Sequence, residues 1–158
     1  MKVPIPAHGG KLINRVLEGA ERDKIQRLLP SLPKIALSSR QKSDLDMIAC
    51  GALSPLEGFM GEKDYLSVIN DMRLANGLPW TIPVTLAVTK DEAEKFPVDK
   101  PVALVDEHGT PLAVLHVTEK YMAQRKLEAE KVYKTTEEAH PGVAAIYKEG
   151  EVLLAGKV

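Results

Sequence analysis

Apolar residues recur with a helical period in several parts of the chain. Between Glu62 and Leu74 they stand at positions 65, 68, 69 and 72, which lie on one face of an α-helix. Weaker patterns predict a surface helix from Glu18 to Leu29 and another from Gln41 to Ala49, which Ser39 or Ser43 would cap. Two further helices are expected from Val117 to Glu130 and from Pro141 to Lys148.

The period changes to two from Trp80 to Val88, where every second residue is apolar. This alternation predicts a half-buried strand. Pro83 has no N–H to donate and therefore places that part of the strand at an edge, a start or a bulge. Short apolar runs predict further strands at residues 34–38, 102–105, 112–117 and 152–155, and a short extended piece at residues 12–16. The link from Asp106 to Pro111 has the composition of a hairpin turn.

The short strands cluster in the centre of the chain, and no alternation of strand, helix and parallel strand is evident. We therefore expect an α+β domain with a small, mostly antiparallel curled sheet, flanked by helices and with helices inserted between its strands. The length of 158 residues fits one domain.

Composition narrows the range of partners. The 21 basic and 22 acidic residues are interleaved and give a net charge of −1, so no long-range attraction to nucleic acid or to an anionic membrane is expected. Aromatic residues, at 4%, are too few for a base-stacking surface. Cys50 is the only cysteine and suits a reducing compartment. Because the segment from Met1 to Pro6 does not resemble a signal peptide, we expect a cytoplasmic location.

The loop His8-Gly9-Gly10 has two interpretations. Consecutive glycines can aim backbone N–H groups at a phosphate or sulfate, but they also allow a tight turn that positions the amino-terminal arm. The loop lacks the lysine and hydroxyl spacing of a phosphate-binding loop. The turn is therefore the favoured interpretation.

Metal binding and nucleophilic catalysis find little support in the sequence. Asp44 and Asp46 are two residues apart on a predicted helix and point to different faces, so they cannot share a metal ion without distortion. A solvated helix face or an ion pair from Arg40 to Asp44 explains them better. The four histidines include no closely spaced ligand pair. Cys50 lies near a predicted helix carboxyl terminus with no basic residue immediately beside it, and neither feature favours a catalytic thiolate.

Several separate segments resemble one enzyme family. They are Ala7-His8-Gly9-Gly10-Lys11, the run from Leu37 to Met60 with its Ser54-Pro55-Leu56-Glu57-Gly58-Phe59-Met60 end, Trp80-Thr81-Ile82-Pro83-Val84, and Thr135 to Val143. In content and order these segments are similar to the opening domain of ATP sulfurylase (sulfate adenylyltransferase). That family joins sulfate to ATP to give adenylyl sulfate and pyrophosphate.

The resemblance implies that residues 1–158 form one amino-terminal domain with a PUA-like pseudo-barrel fold and that the catalytic domain is absent from this chain. Catalytic members carry Gln-x-Arg-Asn-Pro, His-x-x-His and Gly-Arg-Asp segments, and none of the three occurs here. We therefore expect no catalytic, cofactor-binding or metal-binding residue in this chain, with ATP and magnesium bound by the catalytic domain. The full enzyme could be a homo-oligomer.

Two functions remain open at this point. The chain is either a non-catalytic domain that packs against the catalytic domain, in the same or a separate chain, or a free-standing PUA-like module that binds RNA. The resemblance makes ten residues candidates for a structural or domain-interface role. They are His8, Gly9, Gly10, Arg40, Asp44, Gly51, Ser54, Pro55, Gly58 and Phe59.

Overall fold

A mixed six-stranded sheet forms the centre of the molecule. The computed structural model describes residues 4–158, and residues 1–3, part of the segment considered above as a leader, lie outside the described residues. The strands are β1 (Lys34–Ala36), β2 (Gly58–Phe59), β3 (Leu86–Val88), β4 (Pro101–Val105), β5 (Pro111–Met122) and β6 (Val152–Lys157). Their order is β1-β4-β5-β6-β2, and β3 also pairs with β6.

All strand pairs are antiparallel except β1 with β4. The predicted α+β class with a mostly antiparallel sheet is therefore confirmed. The sheet is open and does not close into a barrel. Within residues 4–158, six helices surround the sheet. They are α1 (Gly19–Leu28), α2 (Ser39–Ala49), α3 (Glu62–Asp71), α4 (Lys90–Ala93), α5 (Arg125–Glu128) and α6 (Pro141–Lys148). A 3-10 turn at Leu29–Ser31 follows α1, and a π-helical turn at Ala129–Tyr133 follows α5.

The main core lies between α2 and the sheet. Ile48, Leu86, Leu104, Leu115 and Leu154 are fully buried there. A second cluster forms around Tyr65 of α3 and Leu153 of β6, on the other face of the sheet, because successive side chains of a strand point to opposite faces. None of the helices within residues 4–158 has the length and apolar character needed to cross a membrane.

Several predicted elements are confirmed. α1 and α6 form where expected, and Pro141 occupies the first turn of α6. Gly51 follows α2 with φ +85°, the left-handed conformation that glycine adopts most readily. Asp106 orders the β4–β5 hairpin by accepting N–H donations from His108 and Thr110 at 2.9 and 2.8 Å.

Two helix ends differ from the prediction. The cap of α2 is Ser38 rather than the predicted Ser39 or Ser43. Ser38 Oγ accepts from the Gln41 N–H, while the Gln41 side chain accepts from the Ser38 N–H, which makes a reciprocal capping box. α3 ends at Asp71 because Met72 takes a left-handed conformation, φ 53°, and is exposed rather than part of the apolar stripe.

The predicted strand from Trp80 to Val88 is wrong over most of its length. Only Leu86–Val88 pairs with β6, and Ile82 is exposed. The indole N–H of Trp80 donates to the Ile82 carbonyl at 2.9 Å, which turns the chain locally. The predicted extended piece at 12–16 pairs with no strand, because its amides bond to a side chain and to the end of α2.

The predicted helix from Val117 to Glu130 is also wrong in its first half. β5 continues to Met122 and pairs with β6 throughout, with an irregularity between Val117 and Glu119. Helix begins only at Arg125. The side chains of this stretch are compatible with a helix or a strand. The strand forms because the backbone N–H and C=O groups of β6 pair with it.

Candidate functional site

The amino-terminal arm, residues 4–16, lies against the loop at residues 79–82, which precedes β3. Gly9 and Gly10 have φ values of +79° and +85°, and the Gly10 N–H donates to the Ala7 carbonyl at 2.8 Å. His8 Nε2 lies 2.9 Å from the Pro79 carbonyl oxygen, and its ring lies beside that of Trp80. The loop therefore forms the tight turn, and the Gly10 amide is used within it.

Gly51, Ser54 and Pro55 hold the next part of the arm. A Cβ on Gly51 would lie 2.1 Å from the Ile13 carbonyl oxygen, so only glycine allows this approach. Ser54 Oγ accepts from the Ile13 N–H at 2.9 Å and donates to the Gly51 carbonyl at 2.7 Å. The Pro55 ring lies close to Gly9, and a Cβ added to Gly9 would come within 3.2 Å of that ring.

Gly58 and Phe59 belong to the sheet and the core. The Gly58 backbone passes so close to β6 that an added Cβ would collide with the Gly156 carbonyl. Phe59 is 3% exposed and belongs to the main core cluster. Both residues therefore contribute within this domain, and an interface role for the candidate set as a whole stays a prediction.

Arg40 does not form the predicted ion pair with Asp44. Its Nη1 lies 3.7 Å from Oε1 of Glu149, which follows α6. Asp44 lies nearby on α2, and burial raises the pKa of its carboxyl group while the Arg40 charge works to lower it. The Arg40–Glu149 ion pair therefore connects α2 with the residue that follows α6, and these two parts of the chain are distant in sequence.

A buried ionic cluster, absent from the sequence prediction, lies beside this contact. Glu128 is 2% exposed, and its Oε2 accepts from the Tyr65 hydroxyl at 2.9 Å and from Arg125 Nη1 at 3.3 Å. Arg125 Nη2 lies 3.1 Å from Glu149 Oε2 and donates to the Gly150 carbonyl at 3.0 Å. The Tyr65 hydroxyl in turn accepts from the Gln124 N–H at 2.9 Å.

Burial controls the ionisation of this cluster. It raises the pKa of Glu128, against the opposing effect of the Arg125 charge and the Tyr65 hydrogen bond. It also raises the pKa of Tyr65 well above its ordinary value, helped by the charge of Glu128, so the hydroxyl remains a donor at neutral pH. No periodic pattern signals the cluster, because its members come from α3, α5 and the segment after α6.

A cleft of about 640 Å³ opens between α1, the end of α2 and the start of β5. Apolar side chains line its floor and walls, among them Leu17, Ile25, Leu45 and Leu112. Charged groups line it as well, and Val158 lies on it. The volume falls within the range of ligand-binding pockets, and the mixed lining also suits a protein segment.

The described residues offer no metal centre. Within residues 4–158, no group of three or more histidine, cysteine, aspartate or glutamate side chains is placed to hold an ion. Cys50 is exposed, and its Sγ points at the Met47 carbonyl at 3.6 Å.

Comparison with known proteins gives a consistent result. The model of the PUA-like domain family matches residues 5–158. A sulfate adenylyltransferase of Synechococcus elongatus is 49% identical over 98% of this chain, and one of Symbiobacterium thermophilum is 46% identical over all of it. The chain spans only 39% and 40% of those two relatives.

A solved structure supports the same fold. The chain matches the hexameric APS kinase from Thiobacillus denitrificans with a TM-score of 0.68 and 29% identity, over 77% of this chain and 24% of that protein. The family model and the solved structure thus agree with the fold described above. The chain belongs to the PUA-like domain family, in the form that sulfate adenylyltransferases contain.

Proposed function

We propose that this chain is the amino-terminal, non-catalytic domain of a sulfate adenylyltransferase and that it packs against the catalytic domain of that enzyme. The observation that carries the proposal is the asymmetry of coverage. Relatives of that name match 98–100% of this chain but use only 39–40% of their own length in the match. The remainder of such a protein has room for the catalytic groups that this sequence lacks.

The chemistry of the reaction supports the division. Attack of sulfate on the α-phosphorus of ATP needs cationic and hydrogen-bonding groups that stabilise the developing charge on phosphate oxygens. The three segments that supply such groups in the resembled family are missing from residues 1–158. In this proposal the catalytic domain binds ATP and magnesium, and the whole enzyme acts in the cytoplasm.

The test measures pyrophosphate release from ATP and sulfate in the presence of magnesium. We expect no sulfate-dependent release by the purified chain. We expect activity from a chimera in which this chain replaces the matched segment of the Synechococcus elongatus enzyme, with that enzyme as the reference. Sustained turnover by the chain alone would refute the division of roles, and an inactive, unfolded chimera would refute the proposed packing.

A further inference from the structure

α1 is only loosely packed against the rest of the domain. α1 contains no buried residue, and Leu28 on it is 39% exposed. A helix of ten residues is marginal by itself in water, and most helical stability in proteins comes from packing. The isolated domain therefore holds α1 only weakly, with its apolar side chains available to another surface.

The exposed apolar residues on both sides of the cleft extend this surface. Val16 and Leu17 precede α1 and are 55% and 41% exposed, and Leu112 on the opposite wall is 38% exposed. Contiguous apolar surface of this kind is characteristic of interaction sites rather than of free protein surface. The cleft is wide enough to admit side chains from a partner.

The charges around the cleft indicate the character of that partner. Arg22 and Lys24 line it, and so do Glu21 and Asp46. None of these four has an ion-pair partner among the described residues. A matching surface would place charges of the opposite sign opposite each of them and apolar side chains between them.

The position of Val158 connects the cleft with the proposed function. Its N–H donates to the Glu57 carbonyl at 3.1 Å, and its carbonyl accepts from Arg15 Nε at 2.6 Å. These bonds fix the backbone at the edge of the cleft. In a longer protein of the proposed kind, the polypeptide would therefore continue directly beside α1.

We infer that the cleft between α1 and the start of β5 is the docking surface for the catalytic domain, which inserts an apolar segment flanked by charged residues of both signs. The inference rests on the proposed function and adds the face through which it operates. The alternative docking surface is a second exposed apolar area, around Met72 and Ile82. It lies near Trp80.

Hydrogen–deuterium exchange compares the isolated chain with the chimera described above. We expect the α1 amides to exchange at least about tenfold more slowly in the chimera, because a docked helix must undock before it opens. Protection that appears around residues 72–82 and not at α1 would overturn the inference while leaving the proposed function intact. Absence of protection at every segment would overturn both.

Two matched variants sharpen the result. Leu112 and Val98 are 38% and 40% exposed, and only Leu112 lines the cleft. In the chimera, Leu112→Asp should return α1 exchange to the rate of the isolated chain, whereas Val98→Asp should leave the protection unchanged. Equal effects of the two substitutions would overturn the inference. The melting temperature of each variant of the isolated chain shows whether the domain itself still folds.

Discussion

Glu128 carries an ionisable carboxyl group into the interior of the domain. Two partners stabilise this carboxylate in different ways. Tyr65 donates a neutral hydrogen bond, and Arg125 places a positive charge beside it. Burying a carboxylate is costly unless it is paired and hydrogen-bonded. The raised pKa shows that burial outweighs both partners.

A pH dependence of stability follows from that shift. Because the folded pKa of Glu128 is raised, the folded protein binds the proton more tightly than the unfolded chain does. The resulting stabilisation is complete below the unfolded pKa, about 4.3, and is lost as pH rises through the folded pKa. Glu128→Gln removes this contribution. The unfolding free energy of the wild type minus that of the variant should therefore fall as pH rises from about 4 to 8.

Urea denaturation at several pH values measures this difference. Glu94→Gln is the matched control for loss of a glutamate, because Glu94 is exposed. A Glu128→Gln difference that is flat or increases with pH would show that the carboxyl group is not held in the way described.

At the scale of the elements, the amino-terminal arm depends on the turn after α2. The Arg15 N–H donates to the Ala49 carbonyl at 2.9 Å, and the Ile13 N–H bonds to Ser54. Both bonds require the close approach that Gly51 permits. The arm is thus attached at the end of α2 without belonging to the sheet.

Gly51→Ala should release this arm. The substitution adds a Cβ at 2.1 Å from the Ile13 carbonyl oxygen and strains a residue whose φ is +85°. Gly77→Ala is the control, since Gly77 has φ +89° but no atom near its Cβ position and so incurs only the strain, about 1–2 kcal/mol. We expect Gly51→Ala to lower the unfolding free energy further and to speed tryptic cleavage after Arg15. Equal cleavage rates in the two variants would contradict the proposed attachment.

The sequence predicts elements well where a local signal determines them. Pro141 and the following apolar spacing place α6 correctly, and Gly51 ends α2, since caps and turns depend on the residues that form them. The stretch from Val117 to Glu130 fails because the partner strand β6 is more than twenty residues further along the chain. The Tyr65–Glu128 contact, 63 residues apart in sequence, is beyond prediction for the same reason.

At the scale of the whole molecule, positive and negative groups are mixed over the surface. Lys90 pairs with Glu151 at 2.9 Å and Lys157 with Glu57. Such pairing leaves fewer free cations to displace the counterions of a nucleic acid, which supply most non-specific affinity. The second function considered above, an RNA-binding module, therefore gains no support from the surface charges.

We expect the chain to bind single-stranded RNA too weakly to saturate at protein concentrations up to about 100 µM. Non-specific binders usually have dissociation constants at or below this concentration. Fluorescence anisotropy of a labelled oligonucleotide at low salt measures this, with a basic RNA-binding protein as the positive control. Micromolar affinity that falls steeply with added salt would favour the RNA-binding module instead.

The position of β6 within the sheet has a consequence for synthesis on the ribosome. Strands β2, β3 and β5 all pair with β6, which spans Val152–Lys157. A nascent chain that has emerged only as far as α6 therefore exposes three strands with unpaired ladder groups, and unpaired strand edges promote aggregation. Completion of the sheet must wait until residues 152–157 leave the exit tunnel. In a longer protein, the ribosome would by then already be translating the next domain.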